Sequence, residues 1–386
     1  MDMTNTAVVD IKTMLNGNFH THETLAAESA AGELFKTWNI RSLANAYEER
    51  EPWRYLIDGL IPYPSLCAFY GGPGSLKSMI LADMAACVAS GQKWLEPLPV
   101  EQSSPPVSFR VEQSPVFWID FDNGTRRTDE RIESVTKSRD IPPDTPFHYV
   151  SMPRPWLDIS KTPMVLELAK LIKHLGARLV IIDNLGLITG DTEENSAEMA
   201  SVMGNLRWLC EEGDCAVIII HHQRKSGGAG DKGIRKGETL RGHSSIEAAL
   251  DLAILVERKT GEDAIAIIPT KVRGYCPYAV FGAQFTYQHR EGTHDLQTAR
   301  FWGRPVETND EVENMAVEAV IIRILREEGP LNQKLLVDRV RDFMAAKPGG
   351  KAPGINKIRG LLKDLVDDGV VSESSGDKRE VMYSVE

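Results

Sequence analysis

The sequence predicts an α/β fold built on a mainly parallel central sheet with helices on both faces, followed by a small, differently built C-terminal domain. Three observations lead there. From about Trp53 to Val306 short apolar runs alternate with helical patterns, as expected of strands buried on both faces and joined by helical crossovers. A glycine-rich turn, Gly71-Gly-Pro-Gly-Ser-Leu-Lys-Ser78, stands between an apolar run and an apolar helix. After Asn309 the pattern turns to helical stretches and a hairpin. The expected division is 1–45, an arm or oligomerisation segment; 46–308, the α/β domain; and 309–386, the small domain.

Element by element, strands are expected at Ser65–Tyr70, Val116–Phe121, Leu179–Ile182, Ala216–Ile220 and Leu252–Val256, with an antiparallel tail at Ala264–Pro269 and Val280–Tyr287. Helical spacing of Met199, Met203, Leu206 and Leu209 predicts a helix between Asn195 and Glu212. Helices at Val317–Leu325, Leu331–Phe343 and Ile355–Asp367, then a hairpin to Tyr383, read as a winged helix-turn-helix, with the Gly/Pro-rich 347–354 stretch as the loop before its third helix. Another helix is possible around Glu23–Trp38.

The chain has 386 residues, 42% hydrophobic and 26% charged, enough for about two or three domains. A net charge of −11 excludes a general pull toward nucleic acid, so such binding requires a local basic surface. The five cysteines (Cys67, Cys87, Cys210, Cys215, Cys276) show no CxxC pair and no zinc spacing. No basic leader and no run of about 18 apolar residues occurs. A soluble, cytoplasmic chain with reduced thiols, no structural metal and no membrane partner is expected.

The glycine-rich turn lies in the setting a P-loop requires. Gly71, Gly72, Gly74, Ser75, Leu76, Lys77, Ser78 and Met79 form its nucleotide-binding set: backbone N–H groups face phosphate, Lys77 adds a mobile positive charge, and the Ser78 hydroxyl can ligate Mg²⁺. ATP and Mg²⁺ are the expected cofactors. The usual pattern has glycine where this chain has Leu76; Gly74 supplies flexibility two residues early. The alternative is a glycine-rich turn with an incidental Lys-Ser.

Leu179-Val-Ile-Ile-Asp183 ends an apolar strand in a carboxylate, which places Asp183 at the carboxyl edge of the sheet as a Mg²⁺ holder. In Val116-Phe-Trp-Ile-Asp-Phe-Asp122, two-residue alternation puts Asp120 and Asp122 on one face. Asp122, nearer the edge, is the preferred group to orient or deprotonate water; the alternative is that either aspartate caps the loop. His221 and His222 end another strand and point to opposite sides, with His222 the candidate γ-phosphate sensor and His221 a core residue. The following Gly-rich loop carries Arg224, Lys225, Lys232, Arg235, Lys236 and Arg241, a candidate nucleic-acid contact or else a solvated loop.

The succession FYGGPGSLKS, VFWIDFDNG, LVIIDNLGLITGDTEENS, VIIIHHQRK, LRGHSS and TKVRGY, over about residues 46–306, resembles the RecA-like hexameric ATPases of the plasmid RepA helicase type, with DnaB-like helicases as more distant relatives. The resemblance implies a RecA-like P-loop core in a homo-oligomeric, hexameric ring. It implies that Lys77 and Ser78 bind nucleotide, Asp183 coordinates Mg²⁺, Asp122 holds the place usual for a catalytic glutamate, and His222 senses the γ-phosphate. It also implies that Lys271 and Arg273 form the Lys-x-Arg pair inserted into the neighbouring subunit's nucleotide, and that the acidic 190–196 loop lies near the central channel. From the residues alone, Lys271 and Arg273 are two cations on a strand.

In the small domain, Lys351, Lys357, Arg359 and Lys363 fall in or before the third helix and Lys378 and Arg379 on the wing, diluted by Asp364, Asp367, Asp368 and Glu373. Lys357 and Arg359 are the candidate duplex contacts; protein docking and a purely structural use stay open. The expected function is a ring ATPase that engages DNA, a single strand in its channel, and acts as helicase or translocase in plasmid, phage or integrated-element replication. A nucleotide-switched DNA-binding protein that assembles on ATP without unwinding is the alternative, and a KaiC-like signalling ATPase a third.

Overall fold

The computed structural model describes residues 38, 40–98, 108–190, 192, 198–222, 244–258, 261–274, 276–278, 280–305, 310–346, 352–376 and 380–385. The chain forms two compact units, Met1–Trp53 and Arg54–Glu386. In the first, the described residues make one helical turn, Leu43–Ala46, at whose start the Ser42 backbone N–H and hydroxyl both donate to Asn45 Oδ1 (2.9 and 3.0 Å). The helix expected at Glu23–Trp38 lies outside the described residues except for Trp38.

The second unit is built on a nine-stranded sheet. A two-stranded ribbon, β1 (Arg54–Ile57) and β2 (Ile61–Tyr63), leads into β3 (Ser65–Gly71), and β4 (Val116–Asp120), β5 (Phe147–Ser151), β6 (Leu179–Asp183), β7 (Ala216–His222) and β8 (Leu252–Arg258) follow. Strands β3 to β8 run parallel in the order β8-β3-β7-β6-β4-β5. Three antiparallel strands, β9 (Ala264–Val272), β10 (Phe281–His289) and β11 (Leu296–Arg304), extend the sheet beyond β8. The sheet is thus mixed and mainly parallel.

Alternation explains why β3 is apolar throughout. Cys67 and Phe69 enter the core on one face, and Leu66, Ala68 and Tyr70 enter the core on the other. Helices α1 (Lys77–Ser90) and α2 (Thr125–Lys137) contribute to the first core, and α3 (Thr162–Leu175) and α4 (Met199–Gly213) to the second. Helix α1 is buried on nearly every side, which accounts for its all-round apolar sequence. A short helix, α5 (Ser244–Ala249), precedes β8.

After β11 come α6 (Asp310–Glu328), β12 (Leu331–Asn332), α7 (Gln333–Ala345), α8 (Ile355–Asp367), β13 (Ser372–Ser375) and β14 (Val381–Ser384). The strands form an antiparallel sheet in the order β12-β14-β13, and the helices share a separate core that includes Val317, Ile321, Leu336, Val340, Ile358, Leu362 and Tyr383. Helix α6 packs on β9, so this C-terminal section and the large sheet lie in one compact unit. Among the described residues no helix is long and apolar enough to cross a membrane.

Candidate nucleotide-binding site

Parallel pairing brings the chemistry to one edge. Gly71 sits beside His222 at the ends of β3 and β7, and Asp120 sits beside Asp183 at the ends of β4 and β6. Ligands of open α/β sheets bind at the carboxyl ends of strands, and this edge carries the glycine turn.

The turn has the backbone that phosphate recognition needs. A Cβ on Gly71 would come within 2.4 Å of the Val256 carbonyl oxygen, so only glycine fits; Gly74 has φ +74° and, like Gly72, faces open space. Leu76, at the helix N-cap, adopts φ 67° and ψ 19° and makes no side-chain cap bond. A left-handed backbone explains why glycine is usual here. The Leu76 side chain packs against the first core, which offsets the strain. Beyond it the first N–H groups of α1 have no partner within the helix. The Lys77 side chain is nearly buried and donates to the carbonyls of Gly71 (3.0 Å) and Gly72 (2.8 Å) and to Ser75 Oγ (3.3 Å). Burial pushes its ammonium below the usual range, while the Asp183 charge pulls it back up.

The Ser78 hydroxyl lies on the Asp183 side of the turn and lowers that carboxyl. Asp183 is 3% exposed, and its carboxyl is pushed up to about 6, first by burial and further by Asp120 and Asp122, against the opposing pull of Arg131 and the Ser78 hydroxyl. A hydroxyl beside a carboxylate below a cationic turn is the donor set that a hard cation with phosphate oxygens takes, so the residues present fit Mg²⁺ and ATP.

The two aspartates of the β4 region part company. The expectation that Asp120 and Asp122 share one strand face is corrected: β4 ends at Asp120, because its carboxylate accepts the backbone N–H groups of Asp122 (3.0 Å) and Asn123 (2.9 Å) and folds the chain into a turn. Asp120 is fully buried and also accepts from Thr128 Oγ1 (3.0 Å) and Arg131 Nη1 (3.2 Å). Its oxygens are spent on structure. Asp122 is exposed at the edge. His221 is buried in β7, and His222 is half-buried at the strand end.

Sequence reading missed Arg131. From α2 its Nη1 reaches both Asp120 Oδ2 (3.2 Å) and Asp183 Oδ2 (3.4 Å), a cation between paired carboxylates that opposes the upward push of burial on Asp183. The only sequence signal is the i, i+3 spacing of Thr128 and Arg131 on one helix face. Trp156 was missed as well. Its ring lies 5.0 Å from that of Phe121, and its indole N–H donates to the Leu187 carbonyl (2.7 Å), tying the turn before Asp122 to the segment after Asp183.

Lys271 and Arg273 stand elsewhere. Antiparallel pairing sets Lys271 beside Ala253 and Val272 beside Leu252, and Leu252 lies beside Cys67 of β3. They are therefore about 10 to 17 Å back along the strands from Gly71, at about 3.3 Å per residue, and two strands aside. Neither reaches its own chain's glycine turn. Lys271 Nζ donates to the Glu247 carbonyl and Arg273 Nη2 to that of Ala248 (2.9 Å). Lys357 is half-buried and Arg359 exposed on the first turns of α8. Arg224, Lys225, Lys232, Arg235 and Lys236 lie outside the described residues, as do Lys351, Lys378 and Arg379.

The model of an AAA domain family matches residues 33–228, a span that holds the glycine turn, Asp122, Asp183 and His222. The chain belongs to this AAA domain family. It is a P-loop ATPase by that membership and by the residues gathered at the sheet edge. Two solved structures are similar to this ATPase. The crystal structure of the RadB recombinase matches with 13% identity over 58% of this chain and 88% of the other, at a TM-score of 0.40. A second solved structure, itself an ATPase domain, matches with 11% identity over 67% of this chain and 96% of the other, at a TM-score of 0.44. Among curated proteins none matches.

Proposed function

We propose that this ATPase works as a ring, hexameric in the RecA-like helicase manner, in which each nucleotide is hydrolysed between two copies, and that the ring engages DNA as a helicase or translocase of a plasmid, phage or integrated element. The observation that carries this reading is the separation of Lys271 and Arg273 from their own glycine turn. Cations that cannot serve in cis are available to a neighbour, where they stabilise charge on the transferring phosphoryl group.

Mg²⁺ and ATP, when bound, supply the phosphoryl group and a divalent charge that neutralises its oxygens. The chain's residues do the rest. The turn from Gly71 to Met79 orients the phosphates by N–H groups, and Lys77 exchanges the Gly71 and Gly72 carbonyls for phosphate oxygen. Ser78 and Asp183 hold the metal. Asp122 orients the attacking water and takes its proton, Asp120 and Arg131 fix the turn that carries Asp122, and His222 contacts the γ-phosphate region. Cationic groups of the 224–241 loop contact the strand's phosphates, and the C-terminal section, read as a winged helix with Lys357 and Arg359 at its third helix, recruits duplex DNA.

Complementation tests the ring. Lys77→Ala and Arg273→Ala proteins should each be inactive, and mixing them should restore turnover, since an intact turn on one copy meets an intact Arg273 on the next. No recovery would remove the shared site. Single-stranded DNA should raise turnover in the parent. Slow turnover indifferent to DNA would favour a nucleotide-switched DNA-binding protein, a reading supported by the left-handed Leu76 and by the short aspartate in place of glutamate at 122.

A further inference from the structure

The strand that carries Lys271 is covered by the C-terminal section. Helix α6 packs along β9, and between them runs a narrow groove whose lining includes Thr270, Lys271, Tyr278, Arg323, Arg326 and Phe343. Two arginines of α6 therefore line the same groove as Lys271. They differ in what they do. Arg323 is a clamp: it donates through Nε to Glu327 (2.8 Å) and through Nη1 to the Cys276 carbonyl, with its guanidinium 4.9 Å from the Phe343 ring centre. Arg326, one turn on, is exposed and has no hydrogen bond or ion pair among the described residues.

Lys271, Arg273 and Arg326 thus gather on one side of the sheet, away from their own glycine turn. The acids acting on Lys271 are Glu247 and Asp251. Asp251 is already engaged, accepting the Leu66 N–H (2.9 Å) and Arg207 (3.0 Å) and lying 3.6 Å from Arg273. Burial first, and then Arg273 and Arg326, push the Lys271 ammonium down to about 8 against the pull of Glu247. Like charges held this close raise the free energy of the ligand-free protein, and a multiply charged anion relieves it.

We propose that Arg326 is a third cation of the trans-acting set, so that a strand of the core and a helix of the C-terminal section together form the face that receives the phosphates of the nucleotide bound by a second copy of this chain. The C-terminal section is then part of the hydrolysis site. This rests on the shared-site reading above. Arg326 is exposed, so its replacement should leave the fold intact, and a thermal melt of each variant checks this.

The test compares parent, Arg326→Ala, Arg326→Lys and Arg273→Ala in two assays: steady-state ATP turnover across protein concentration, and sedimentation velocity with a non-hydrolysable ATP analogue. Arg326→Ala should lower kcat about tenfold or more, as loss of one transition-state donor does, with KM within about twofold. It should weaken analogue-driven assembly. Arg326→Lys should recover part of both, and mixing Arg326→Ala with Lys77→Ala should restore turnover. If Arg326→Ala matches the parent in both assays while Arg273→Ala is inactive, the inference fails and the shared site stands; if Arg273→Ala also matches the parent, the shared-site reading itself has failed. A third arm measures binding of an oligonucleotide against salt. A reduced salt slope with turnover and assembly unchanged would assign Arg326 to DNA phosphate and overturn the proposal.

Discussion

Arg139 grips Asp83 through two hydrogen bonds of 2.9 Å, Nε to Oδ1 and Nη2 to Oδ2, with neither side chain exposed. Asp83 lies in α1 and Arg139 just past α2, so the pair fastens the helix that opens at Lys77 to the helix that carries Thr128 and Arg131. Breaking a buried pair leaves an uncompensated charge. Arg139→Ala should therefore cost about 3 to 5 kcal/mol of stability, whereas Asp83→Leu with Arg139→Met should cost less than either single change. Equilibrium urea unfolding of the four proteins measures both; additive losses would show that the pair does not act as a unit.

At Leu76 backbone and side chain pull in opposite directions. Glycine would relieve a left-handed backbone worth about 1 to 2 kcal/mol and give up the contact with the first core. Leu76→Gly should leave stability within about 1 kcal/mol of the parent, with nucleotide binding retained. Leu76→Val should be clearly worse, since a branched Cβ tolerates positive φ least. Denaturant midpoints for the two variants decide, and a reversed order would mean that packing alone holds this turn.

Asp183 sets an acid limit. Its carboxyl is raised to about 6 from about 4 in an unfolded chain, so the protonated form is favoured in the fold. That contribution to stability is complete below about pH 4 and lost as pH rises through 6. Metal binding runs the other way because it needs the carboxylate. Mg²⁺-dependent nucleotide affinity should fall about tenfold per pH unit below 6, while Mg²⁺-free affinity stays level. Fluorescent-nucleotide titrations between pH 5 and 8 check this; parallel decline with and without Mg²⁺ would point to another group.

Lys271 sets an alkaline one. Burial holds its ammonium near 8 against a usual 10.5, so between these values the folded protein gains stability from this residue as pH rises, and its cation is lost. Turnover that depends on Lys271 should decline above pH 8, and Lys271→Arg, always charged, should move that decline upward. A kcat profile with the same alkaline limb in both proteins would exclude Lys271 as its source.

The fold was legible where apolar runs are long and bounded. Helix α8 has the bounds expected, Ile355–Asp367, because its burial repeats at helical spacing. The strand Phe147–Ser151 was not foreseen: as the edge of the sheet it has no fully buried residue and so writes no alternation. Leu296–Arg304 buries alternate residues, but with Ala299, Phe301 and Gly303 as the buried set it reads faintly as a strand. At the site, the glycine turn and Asp183 were readable because local chain geometry demands their residue types. Arg131 was not, since an arginine on a polar helix declares nothing until the helix is laid across two strand ends.

The sequence by itself determined that a glycine-rich turn joins a buried strand to a buried helix, that an apolar strand ends in the Asp183 carboxylate, and that helices and a hairpin follow residue 309. Those features rest on interactions between residues near in the chain, which periodicity and turn chemistry record. Only the tertiary structure decided that Asp120 is a structural hub while Asp122 faces outward, that Arg131 bridges Asp120 and Asp183, and that Lys271 and Arg273 lie too far from their own turn to serve it. These depend on strand order and register, which bring residues tens to hundreds of positions apart within a few ångströms or hold them apart. No local pattern encodes that choice.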